Sequence, residues 1–85
     1  MNEIIGALET IEKALKAGNN PSAVQSAIRE ARNRTNSSKD EQLQQLSAEL
    51  LTWESKFPVI WREPAGRQGM AKHAGHWIGK LKGRK

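Results

Sequence analysis

Residues 38–57, SKDEQLQQLSAELLTWESKF, decide the fold, because here alone the apolar residues keep unbroken helical time. Leu43, Leu50 and Phe57 recur every seven, Leu46 and Trp53 fall between them, and Leu51 widens the stripe. That is the pattern of a core-facing helix seam. Ser38 reads as the N-cap, with Glu41 reaching back in a capping box. Pro58 sets the expected end, since a proline drives the residue before it out of helical dihedrals. Periodicity of this kind reports burial, so the central helix specifies a class, all-α, and no chemistry.

Working towards the N-terminus, two further helices are expected. Over Asn2–Ala17, Ile4, Leu8, Ile11 and Leu15 line one stripe, Ala7 and Ala14 lie beside it, and Gly18-Asn19 supplies a left-handed stop. Glu9–Lys13 and Glu12–Lys16 pair four apart on the wet side. Asn20 then caps a second helix with Pro21 at its first position, where the missing N–H costs nothing. This helix is expected to run to about Arg34, with Ala23, Ala27 and Ala31 making a flat face around Val24 and Ile28. Small side chains let a neighbouring helix approach closely. Arg29, Arg32 and Arg34 on its outer face read most simply as a solvated surface. With the short linker at residues 35–37, residues 1–57 form an antiparallel three-helix bundle.

After Phe57 the pattern changes. Residues 58–64, PVIWREP, are bracketed by prolines and rich in β-branched and aromatic side chains, which predicts an extended strap. Trp61 would either lid the bundle or anchor a partner, tryptophan being enriched among interface hot spots. Pro64 opens a fourth, basic amphipathic helix to about Leu81, packed on the bundle. On a helical wheel Met70, Ala71, Ala74, Trp77, Ile78 and Leu81 fill an arc of roughly 120°, opposite Lys72, His73, His76, Lys80 and Arg84. Gly66, Gly69, Gly75 and Gly79 each cost about 1 kcal/mol relative to Ala, so this segment needs docking or a partner to stay helical. Residues 82–85 are expected to be a mobile basic tail.

Composition narrows the function classes. Eighty-five residues make one small domain, hiding roughly 60–65% of its surface, and a catalytic cavity would compete with the core. There is no Cys, hence no disulfide and no thiolate ligand; stability must come from helix packing, with self-association open. No apolar run approaches the ~20 residues of a membrane span, and the N-terminus carries neither a basic leader nor an apolar block. A cytoplasmic location is the expectation, under which the sequons at Asn33 and Asn36 carry no weight. His73 and His76 lie three apart, but two ligands do not make a zinc site, so no metal or cofactor is expected. Carboxylates and serines sit at helix-surface and cap positions, without a nucleophile–base pattern; no catalytic residue and no small-molecule substrate are assigned. Phosphate-loop, dinucleotide, zinc-finger and RNA-recognition signatures are missing.

Charge supplies the one functional signal. Residues 1–57 hold seven Lys/Arg against eight Asp/Glu, and residues 58–85 hold seven against Glu63 alone, which splits the net +5 into −1 and +6. Such asymmetry points the C-terminal third towards an anionic partner. The leading expectation is a non-enzymatic binder of the nucleic-acid phosphate backbone, weak in sequence preference, using Arg62, Arg67, Lys72, Lys80, Lys82, Arg84 and Lys85, with His76 or Trp77 stacking on a base. The alternative is a protein-interaction module, a regulator or inhibitor that meets an acidic protein surface with the same helix and a Trp77 or Trp61 anchor. A membrane-surface role is disfavoured, because Met70, Trp77, Ile78 and Leu81 make a thin apolar arc.

Overall fold

Helix start and stop signals written into the chain account for most of the architecture. In the computed structural model, which describes residues 2–83, α1 spans Asn2–Ala17, α2 Pro21–Asn36, α3 Glu41–Arg62 and α4 Pro64–Lys82. The protein is all-α, with no strand among the described residues. Gly18 ends α1 at φ 70°, its N–H donating to the Ala14 carbonyl at 3.0 Å. Asn20 is also left-handed, at φ 57°, and its side-chain oxygen accepts from the Ala23 N–H at 3.3 Å while Pro21 opens α2. Asparagine tolerates that conformation better than most residues.

Three boundaries differ from expectation. α2 continues past Arg34 to Asn36, because the Thr35 hydroxyl donates to the Ala31 carbonyl at 2.9 Å and the side chain can then be fully buried. α3 is capped by Asp40 in place of Ser38: Asp40 Oδ1 accepts from the N–H groups of Gln42 and Leu43, at 2.9 and 3.3 Å. Ser38 serves the cap itself, its hydroxyl accepting from the Asp40 N–H at 3.1 Å.

The third correction is the largest. The extended strap at 58–64 does not exist: α3 runs through Pro58 to Arg62, and Glu63 is the single extended residue before α4. Pro58 still removes one helix hydrogen bond and crowds the carbonyl of Glu54. Packing overrides that penalty. Phe57 is buried, Trp61 stacks on it with ring centroids 5.5 Å apart, and Ile60 packs against the same core. These three lie at the i, i+3, i+4 spacing of one helical face.

Each helix packs against its chain neighbours, and α1 also packs against α4; α1 does not meet α3, nor α2 meet α4. Contacts across the seams run in opposite senses along the paired helices. Glu49 meets Trp77 while Ile60 meets Gly66, and Glu9 meets Lys82 while Glu12 meets Gly75. The four antiparallel helices therefore close into a ring around a shared core. Ile4, Leu8, Ile11, Leu15, Val24, Ile28, Leu43, Leu46, Leu50, Trp53 and Phe57, expected in the core, are buried, whereas Leu51 at the edge of the α3 stripe is exposed. α4 adds its whole apolar arc, from Met70 to Leu81, to that same cluster. It is the fourth wall of the core, not a layer on a finished three-helix bundle. No described helix is long and apolar enough to cross a membrane.

Candidate nucleic-acid interface

α4 contains no Asp or Glu, and its orientation follows from where its apolar residues fall. With Ala74 and Leu81 turned into the core, Lys72, His73, His76 and Lys80 are left exposed. Lys72, His76 and Lys80 recur every four residues and so lie along one edge of the helix. They and His73 line an open groove of about 660 Å³ between α4 and α3, whose other wall carries Gln45 and Glu49.

Trp77 forms part of that groove's lining but is only 4% exposed. Its indole N–H donates to Glu49 Oε2, and Lys80 Nζ stands 4.7 Å from its ring centroid. A buried indole needs an acceptor for its N–H, and Glu49 supplies one. Trp77 was expected as an exposed stacking platform or partner anchor; here its ring is buried in the core and covered by Lys80. The Glu49 carboxylate is bound to Trp77, which leaves Lys72, His73 and His76 with neither ion pair nor hydrogen bond among the described residues.

The remaining expected site residues are dispersed. Arg67 is partly buried; its guanidinium donates to the Trp61 carbonyl and lies 5.5 Å from the Trp61 ring centroid, so it clamps the α3–α4 turn. Trp61 itself, half-buried against Phe57, closes the end of the core. Arg62 is exposed at the last position of α3, at the far end of the seam from Lys80. Lys82, expected in a mobile tail, is the final residue of α4 and pairs with Glu9 of α1 at 3.2 Å. Arg84 and Lys85 lie outside the described residues. Of the nine expected positions, Lys72, His76, Trp77 and Lys80 come together.

His73, Gln45 and Glu49 complete the groove and were not expected there. His73 was legible, since it shares a helical face with Lys80 seven positions on; the α3 residues depend on a tertiary contact that no local pattern announces. On α2, Arg32 pairs with Glu54 and Arg34 with Glu30, each at 3.3 Å. The groove between α2 and α3, about 440 Å³, is lined mainly by neutral polar groups such as Asn33, Asn36, Gln44 and Ser47. Among the described residues no three His, Cys, Asp or Glu side chains gather as a metal-ligand set. Comparison with known proteins adds nothing to the geometry: no family model, no curated protein and no solved structure matches the chain.

Proposed function

We propose that the outer edge of α4 binds the phosphate backbone of nucleic acid without reading its sequence. The observation that carries this reading is the exposed Lys72–His76–Lys80 row on a helix with no carboxylate. At 1.5 Å rise per residue, side chains four apart stand about 6 Å from one another along the helix. A row of hydrogen-bond donors at that interval suits successive phosphates, and counterion release at the two lysines supplies the affinity. The protein-interaction reading needs a tryptophan anchor, and the engagement of both Trp77 and Trp61 with the core argues against it.

The test is fluorescence anisotropy with labelled, mixed-sequence duplex and single-stranded oligonucleotides, from about 50 to 200 mM salt. The wild-type protein is expected to bind at low salt, with log affinity falling linearly against log salt. Replacing Lys72 and Lys80 together with Ala lowers the slope by about two. Lys82→Ala leaves it nearly unchanged, because that ammonium is already paired with Glu9. No binding at the lower salt overturns the proposal.

A further inference from the structure

Two imidazoles sit beside the lysines of the groove with no partner among the described residues. His73 and His76 are exposed on α4, His76 between Lys72 and Lys80 and His73 next to Lys72. Histidine is the side chain whose charge ordinarily changes between pH 5 and 8. With both imidazoles neutral the groove holds two ammonium groups and the Glu49 carboxylate; with both protonated it gains two further positive charges.

We propose that His73 and His76 make this interface pH-gated, so that a phosphate backbone is held more tightly in mildly acidic than in mildly alkaline solution. The inference rests on the phosphate-binding reading of α4. The charged groups near the pair come from three helices. On α4, Lys72 and Lys80 flank the pair. From α3 the groove receives Glu49, whose carboxylate is bonded to Trp77, and the neutral Gln45. On the α1 side, Glu12 lies against Gly75 and Glu9 is paired with Lys82, while α2 does not pack on α4. A phosphate entering the groove brings negative charge to both imidazoles and stabilises their protonated forms. By linkage, binding takes up protons, and affinity must fall as pH rises.

A phosphate that raises the proton affinity of an imidazole by about one pH unit contributes up to about tenfold per histidine. The experiment is anisotropy with a labelled oligothymidylate, whose bases do not titrate in this range, at about pH 5.5 and about pH 8 across a salt series. The wild-type protein is expected to bind tenfold or more tightly at the lower pH, with a salt slope steeper by up to about two. The double variant His73→Gln/His76→Gln is expected to show no gain in affinity on acidification, whatever its affinity at pH 8. Circular dichroism at both pH values checks that the fold is retained. Binding that is equally tight at both pH values, or a pH response that survives in the double variant, overturns the proposal and leaves the phosphate-binding reading standing. No binding at either pH overturns both.

Discussion

Gly66 shows how much one missing side chain can decide. A Cβ built there would stand 2.7 Å from the Ile60 carbonyl oxygen and 3.2 Å from the Ile60 Cα, both backbone atoms that a rotamer change cannot move. Only glycine lets the first turn of α4 close onto the last turn of α3. Gly66→Ala should therefore destabilise by about 1–3 kcal/mol, the overlap outweighing the gain in helix propensity. Gly79 is the control. Nothing lies within 4 Å of a Cβ there, so Gly79→Ala should stabilise by up to about 1 kcal/mol. Urea denaturation midpoints of the two variants, moving in opposite directions from the wild type, check both expectations. From composition the two glycines are alike, each a propensity cost on α4; the difference is set by which backbone passes alongside.

At the scale of elements, α3 is where a local rule lost to packing. A proline removes a hydrogen bond and disfavours helix in the residue before it, which is sound for an isolated peptide. Yet Leu46, Trp53 and Ile60 are spaced by sevens, so the seam that fixes α3 continues beyond Pro58 in plain view. Pro58 is exposed, and no core contact depends on its ring. Pro58→Ala should then restore a helix hydrogen bond and stabilise the protein by about 1–3 kcal/mol, less what the freer unfolded chain gains. Thermal melts read the difference, and a lower melting temperature would mean that α3 needs the proline's bend. The end of α1 and the start of α2 were legible because each rests on local residue chemistry, Gly18 for α1 and Asn20 with Pro21 for α2. Ser38 and Asp40 are both competent caps, and the choice between them follows from where α3 meets the core.

For the molecule as a whole, the consequential fact is that the backbones of α1 and α3 do not approach each other, so α4 closes the side of the core between them. A chain stopped after Glu63 should lose cooperative folding: its circular dichroism should show reduced helicity and no sigmoidal thermal transition. A sharp melt from that fragment would mean that α1, α2 and α3 suffice. The same arrangement explains what could be read of the site. The positive character of α4 and the burial of its apolar arc were both present in the helical wheel. The engagement of Lys82 by Glu9 was not, since the two stand 73 positions apart and meet only because the first and last helices close the ring. That closure also shapes the route to the native state. Three of the four helix seams join neighbours through connections of one to four residues, whose loop-closure entropy is small. The α1–α4 seam alone must gather the chain's two ends. Folding should be quick, as in other chains rich in local contacts, with the joining of the outermost helices as its slow, committing step.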